Sequence, residues 1–357
     1  EFGVLRISVE QNSGAKREAK ITLSAKSCKP AEIVLSQYAK PADKANHTLM
    51  FYFFGTSLSR YFKTNLEDAV KAIETGILGN SNRVLFLLQE SKNSGYIGEL
   101  CYDITTKKCT EFRHKDITFS DNVITPEKIG EHIATMAELA PALRYGIIFA
   151  GHGQGWITRE ILEGGDSFST LSTGSNVWIP ASGADVTRAF GENNVRVDIT
   201  EMAEGIEHSG IELDYILFDA CFMSNIEAVY DLRNSAKYII ASPCEIMGKG
   251  FPYHRTLPHL FGESYNLRSA AESYYLFYRD EYNGSARCGS VALYDCAEVE
   301  ALAEATKLVM QSANLDIDTS TLQTYEGQAV HHFYDFGEWV RSVATDSEAL
   351  KAFDEQL

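Results

Sequence analysis

From residue 48 onward the chain alternates short apolar runs with amphipathic stretches, and two of the runs are apolar throughout. The runs are Thr48–Phe54, Arg83–Gln89, Tyr145–Ala150, Tyr215–Phe218, Tyr238–Ala241 and Ser290–Tyr294. Tyr145–Ala150 and Tyr215–Phe218 are the fully apolar pair, a pattern that belongs to strands covered by helices on both faces. Between the runs, residues 126–139 place Ile129, Ile133, Met136 and Ala140 on one stripe, with Thr125 in the N-cap position and Pro126 at the first helical position. Asn65–Thr75 and Ser224–Leu232 read likewise, and residues 298–313 and 328–344 add C-terminal helices. This order predicts an α/β sandwich around a mostly parallel sheet.

The first forty residues have another rhythm. Residues 4–9, 18–24 and 32–37 alternate or run apolar between Gly, Asn, Ser and Lys-Pro turns, an antiparallel β pattern that ends at Lys40-Pro41-Ala42-Asp43, a polar joint. The expected division is a small β segment with its linker over 1–42 and a catalytic-sized domain over 43–357. Two stretches, 157–196 and 312–326, lack periodicity, and a forty-residue irregular stretch inside an α/β domain is functional or mobile. Glu1 opens within strand-like text with no initiating Met or signal-like segment, so the chain reads as a fragment whose export signal has been removed.

At 357 residues, with 45% hydrophobic and 23% charged residues, the composition is that of a globular protein with a large core. No apolar stretch is long enough to span a bilayer. The net charge of −17 is uneven: residues 1–44 carry 8 Lys/Arg and 5 Asp/Glu, the remainder 24 and 44. An acidic body disfavours nucleic acid and is compatible with a cationic substrate, or with solubility alone. The seven cysteines (Cys28, Cys101, Cys109, Cys221, Cys244, Cys288 and Cys296) contain no Cys-x-x-Cys, so no zinc site is expected. Cys101 with Cys109, and Cys288 with Cys296, are open either to pairing or to remaining buried thiols.

In an open α/β sheet, ligands bind beyond the carboxyl ends of the strands. Two such ends carry chemistry: Tyr145–Ala150 leads into Gly151-His152-Gly153-Gln154-Gly155-Trp156, and Tyr215–Phe218 into Asp219-Ala220-Cys221-Phe222-Met223. Alone, His152 reads as a turn histidine and Cys221 as a buried thiol. The glycines around His152 lack the spacing of a dinucleotide loop. Cys221 falls just before the Ser224–Leu232 helix, whose N-terminus would favour a thiolate. A cysteine and a histidine at two strand ends of one sheet form a candidate nucleophile–base pair.

An apolar strand followed by His-Gly, then a second followed by Asp-Ala-Cys, resembles the clostripain-type cysteine peptidases (peptidase C11) of the caspase-like clan. Met223, Glu227, Tyr230 and Leu232 continue the motif, followed by Tyr238-Ile239-Ile240-Ala241-Ser242, Glu245, Gly248 and Gly250-Phe251-Pro252-Tyr253. The resemblance spans about 48–260. It implies a caspase-like α/β sandwich and hydrolysis of peptide bonds in substrates bearing Arg or Lys before the cut. Cys221 is then the nucleophile, His152 the acid/base group, and the backbone N–H groups of Gly153 and Cys221 the oxyanion hole. Asp219 would lie in the S1 pocket, where a carboxylate suits a guanidinium; a turn or helix-capping aspartate is the alternative. No third member of a triad is required, and none stands out.

The resemblance also implies activation by cleavage between the His and Cys segments, where Arg159, Arg188 and Arg196 are the possible cut sites. Clostripain is associated with calcium, but no Asp-x-[Asp/Asn]-x-[Asp/Asn]-Gly loop is present, so no cofactor or metal is expected. Residues 1–42 resemble the C-terminal half of a BACON domain, a small β-sandwich attached to secreted enzymes, which points to a secreted or surface-bound, lipid-anchored protein. The competing readings are a catalytically silent peptidase-like protein that binds through its β segment, disfavoured by intact His152 and Cys221, and an esterase or amidase, disfavoured by the lack of Gly-x-Ser-x-Gly.

Overall fold

A computed structural model describes residues 17–25, 29–37, 44–119, 124–153, 155–157, 197–262, 265–284, 289–325 and 333–357, with positions 7, 187–188 and 287. Strands β1 (Arg17–Leu23) and β2 (Ala31–Gln37) pair antiparallel, Arg17 opposite Gln37, in a two-stranded sheet of their own. Two of the three N-terminal strands read from the sequence are thus observed; the run over 4–9, Ile7 apart, lies outside the described residues.

Among the described residues the main sheet has eight strands. Along the chain these are β3 (Ala45–Phe53), β4 (Asn82–Gln89), β5 (Ser94–Asp103), β6 (Lys108–Thr118) and β7 (Ala142–Ala150), and after a short β8 (Thr187–Arg188) come β9 (Leu213–Asp219) and β10 (Ala236–Ala241). A short β11 (Ile246–Met247) pairs with β8 in a separate two-stranded sheet, and β12 (Ala292–Asp295) closes one edge of the main sheet. The spatial order is β12-β10-β9-β7-β3-β4-β5-β6. The five central strands are mutually parallel; β12 at one edge pairs antiparallel with β10, and at the other β5 pairs antiparallel with β4 and β6 antiparallel with β5.

Side chains of alternate sign fill two layers, as the period of two in a strand requires. Leu49, Phe51 and Phe53 pack with Phe86 and Leu88 against Phe62 of α1 (Ser59–Ile73), with residues of the later helices on the same side. Met50 and Tyr52 pack with Leu85, Leu87, Ile147 and Phe149 against Ile133 and Met136 of α2 (Pro126–Leu139) and Met202 of α3 (Ile199–His208). The remaining helices are α4 (Ile226–Leu232), α5 (Tyr253–Thr256), α6 (Leu267–Glu281), α7 (Val299–Met310), α8 (Phe336–Val343) and α9 (Ser347–Gln356). The α/β/α sandwich read from the sequence is therefore the observed fold.

Helix α2 occupies the expected residues: Thr125 Oγ1 accepts from the Lys128 amide, Pro126 opens the first turn, and Ile129, Ile133, Met136 and Ala140 are all buried. The helix expected from Ser224 begins instead at Ile226, because Asn225 is the cap and accepts from the Ala228 amide at 2.9 Å. The expected 328–344 helix is observed over 336–343, capped by Asp335. Cys101 lies opposite Thr110 and Cys109 opposite Tyr102, so the two thiols stand on different faces of the hairpin and remain free. Cys296 is also free, and Cys288 lies outside the described residues.

Candidate active site

Strands β7 and β9 are parallel neighbours with Ala150 opposite Asp219, and the Gly151 amide donates to the Asp219 carbonyl at 3.4 Å. His152 and Cys221 each stand two residues beyond that matched pair, so parallel register delivers both to one edge of the sheet. Gly153 packs on the backbone of the cysteine: a Cβ there would collide with the Cys221 carbonyl and come within 3.0 Å of its amide nitrogen. Only glycine permits that approach. The two amides expected to serve an oxyanion therefore belong to residues in direct backbone contact.

On its other side β7 pairs with β3, Phe53 opposite Ala150, and the Phe54 amide donates to the Ala150 carbonyl at 3.0 Å. The chain then turns at Gly55 (φ 120°), whose amide donates to the buried Gln89 side chain at 3.0 Å. A 3₁₀ turn over Thr56–Leu58 follows, with Leu58 fully buried. This sets the Ser57 Oγ 2.9 Å from Nε2 of the half-buried His152. Sequence reading missed Ser57. The strand-end rule that selected His152 and Cys221, applied to the third strand of the group, would have pointed to residues 54–58.

Cys221 is 1% exposed. The Ile246 amide donates to its Sγ at 3.2 Å, and Sγ lies 3.8 Å from the Ile246 carbonyl oxygen. A backbone donor on the sulfur becomes a stronger partner once the sulfur is charged. The following residue, Phe222, adopts φ 57°, uncommon for a bulky side chain; its ring stacks on Phe333 at 4.6 Å and its amide donates to the Cys244 carbonyl at 3.1 Å. These contacts hold 221–224 in a turn, so α4 starts five residues after Cys221. The expected support of the thiol by a helix N-terminus is thereby corrected, and the Ile246 amide is the observed donor.

Asp219 is fully buried, and the Tyr253 hydroxyl donates to its Oδ2 at 2.7 Å. Tyr253 opens α5, which is tied to α1 because Asp68 accepts from both the amide (3.0 Å) and Nδ1 (2.6 Å) of His254. The cap of α4 is Asn225, so Asp219 does not play that part. Of the three candidate cut sites, Arg188 lies in β8, directly opposite Ile246, while Thr187 faces Met247. Arg159 and Arg196 lie outside the described residues. A cavity of about 620 Å³ adjoins the site, walled by Trp156, Asn225, Pro243, Tyr325, Phe333 and Trp339 among others. Among the described residues, no group of three or more His, Cys, Asp or Glu side chains is placed to hold a metal ion, and no helix is long and apolar enough to cross a membrane.

Comparison with solved structures gives the same architecture. A secreted C11 cysteine protease from Bacteroides thetaiotaomicron, iotapain, superposes with a TM-score of 0.74 at 26% identity, over 88% of this chain and 85% of that one. A structure of a secreted C11 cysteine protease from the same organism, in complex with an irreversible peptide inhibitor, gives 0.70 at 26% identity over 87% and 82%. An inactive zymogen C11 protease from Parabacteroides distasonis gives 0.70 at 25% identity over 88% and 82%. A comparison with curated proteins gives no match. The family model for peptidase C11, the clostripain family, matches residues 57–348, from the turn that holds Ser57 to the first turn of α9, and the chain accordingly belongs to the clostripain family of cysteine peptidases.

Proposed function

We propose that the protein is an endopeptidase cutting after Arg or Lys, with Cys221 as nucleophile and His152 as general acid and base. The observation that carries this reading is the matched register of β7 and β9, which leaves both residues two positions past the same ladder pair. The Cys221 thiolate attacks the scissile carbonyl carbon, forming a C–S bond and an oxyanion that the Gly153 and Cys221 amides would receive. Protonation of the leaving amine by the His152 imidazolium breaks the C–N bond and leaves a thioester. Water, deprotonated by His152, hydrolyses the thioester and regenerates the thiol.

Asp219 is the group assigned to the substrate's basic side chain, supported by a buried carboxylate one residue from the nucleophile's neighbour and fixed by Tyr253. Activation by a cut within 157–196 is supported by the burial of Cys221 in the uncut chain and by β8, which lies on the same Ile246 that contacts the thiol. Among the three arginines, Arg188 is favoured on that ground. Relatives described as secreted, one of them bound to a peptide inhibitor, support an exported protein acting on peptides. The separate β1–β2 sheet supports a distinct unit before residue 43.

Fluorogenic peptides ending in Arg, Lys, Leu or Asp test the proposal. Cleavage of the Arg and Lys peptides, abolished by a thiol alkylator and by Cys221→Ala, is expected; activity that survives Cys221→Ala refutes the mechanism. Activity confined to Leu or Asp peptides refutes the specificity. Mass spectrometry of incubated protein is expected to find a terminus after Arg188 in the parent and none in Cys221→Ala.

A further inference from the structure

We infer that Ser57 is the positioning residue for His152: its hydroxyl accepts the Nε2–H of the imidazole and so assigns Nδ1 to Cys221. This rests on the assignment of His152 and Cys221 given above. The contact is 2.9 Å and spans 95 residues of sequence, so it is made by the fold and not by a local turn. The hydroxyl is held from both sides. Behind it, Phe54 is bonded to β7 and Gly55 to the Gln89 side chain; ahead of it, Leu58 is locked in the core.

An imidazole that shuttles a proton has two distinct nitrogens, and the partner of one decides what the other does. With Nε2–H donating to Ser57 Oγ, the neutral ring presents a lone pair at Nδ1, the form required to take the thiol proton. After that transfer both nitrogens carry hydrogen: Nδ1–H faces the thiolate and then the leaving amine, while Nε2–H stays on Ser57. The hydroxyl is an acceptor throughout, so neither the ring nor the serine has to reorient between steps. The proton that leaves Sγ returns to solution on the amine, and the one at Nε2 never moves. Holding the imidazolium is the larger part of the effect, because a hydrogen bond to a charged donor is stronger than one to a neutral donor.

The test compares Ser57→Ala, Ser57→Thr, His152→Ala and Cys221→Ala in the active peptidase, with kcat and KM measured on an Arg substrate from pH 5 to 9. Ser57→Ala is expected to lower kcat about 10- to 150-fold, the range of one hydrogen bond to a charged group, with KM unchanged. Its alkaline limb moves to lower pH, since the imidazolium loses its acceptor. Ser57→Thr keeps a hydroxyl and is expected to restore both. In a Cys221→Ala background, the ring ¹⁵N shifts of His152 report the Nε2–H tautomer, and Ser57→Ala is expected to mix the tautomers. A Ser57→Ala enzyme with parental kcat and pH profile overturns the inference, as does a fall in kcat with an unmoved alkaline limb and unchanged ring shifts, the signature of a merely structural change. Full activity in His152→Ala or Cys221→Ala sinks the underlying assignment instead. If both are silent while Ser57→Ala matches the parent, the inference about Ser57 alone fails.

Discussion

The two ends of the central sheet hold histidines in opposite states. At the amino end, His47 of β3 is fully buried among Tyr215, Phe261 and Tyr265, with the Tyr215 hydroxyl 3.3 Å from Nε2. At the carboxyl end, His152 is half-buried, flanked by glycines, and bonded to a serine in a turn. Each ring has a hydroxyl partner, so the partner's chemistry does not separate them. Burial does: loss of hydration pushes the His47 pKa down to about 4, so this ring is neutral packing at any physiological pH. His132 of α2, whose Nδ1 lies 2.8 Å from the Tyr52 hydroxyl, is held at about 4 for the same reason. The catalytic role proposed for His152 falls to the ring that stands where a strand has run out of sheet.

The sharpest way to break the comparison is at Cys221, which is as buried as the interior histidines but stands at the carboxyl end, where the nucleophile is proposed. Cys221→Ser, nearly isosteric, is expected to lower kcat/KM by at least about 10³-fold, because the hydroxyl lacks the nucleophilicity of a thiolate. The melting temperature is expected to move by no more than about 2 °C, in line with the removal of a single sulfur contact. A large loss of stability with residual activity would place Cys221 with the packing residues instead.

The interior histidines should reveal themselves in the pH dependence of stability. Their folded pKa values lie below the ordinary 6.5, so the unfolded chain binds more protons between pH 6.5 and 4. Stability therefore holds above pH 6.5 and falls as the pH drops through that window, by up to about 3 kcal/mol for each ring. Chemical denaturation at pH 7.5, 6 and 5 measures the slope. His132→Gln is expected to flatten it, and an unchanged slope would mean that His132 is not sealed from water.

How much of this was legible depended on whether the signal was local. The apolar runs of β7 and β9 and the Thr125-Pro126 start of α2 are local, and they led to the observed fold and to two strand ends that the sheet register sets side by side. A hairpin between Cys101 and Cys109 was conceivable from the cysteines alone, but β5 and β6 are not among the apolar runs, because β6 places Glu111, Arg113 and Lys115 on an open edge and buries almost nothing; charged edge strands guard against pairing and look like loop text. Helix α6 escaped because five of its fifteen residues, Tyr274, Tyr275, Phe277, Tyr278 and Leu276, form a run that reads as strand. At the site, Ile246 contributes through its backbone, which no side-chain pattern reports. The turn at Phe222 depends on the Cys244 carbonyl and the Phe333 ring, both distant in sequence, and so the helix was expected too early.

A smaller effect tests the amino end by itself. Tyr215→Phe removes a hydroxyl that donates to the Leu260 carbonyl at 2.8 Å and faces His47. Leaving a buried carbonyl without its donor is expected to cost about 1–3 kcal/mol, read as a lower denaturation midpoint at unchanged slope. The kcat of folded enzyme is expected to stay within about twofold, a factor small against any transition-state contact. A tenfold fall in kcat would mean that the two ends of the sheet are coupled, and the contrast between them would have to be abandoned.

The smallest effect belongs to the cap that made α2 legible. Thr125 Oγ1 lies 3.4 Å from the Lys128 amide, long for a hydrogen bond, and Pro126 has already removed one of the donors that a cap would serve. Thr125→Ala is therefore expected at the low end of capping losses, about 0.5 kcal/mol. Thr125→Asp, a better acceptor at a helix N-terminus, is expected to stabilise by a similar amount, about 0.5 kcal/mol. Because α2 carries His132, either change should move the stability curve vertically without altering its slope between pH 6.5 and 4. A changed slope would show that the cap governs the burial of that ring, and local sequence would then reach further into the interior than its hydrogen bond suggests.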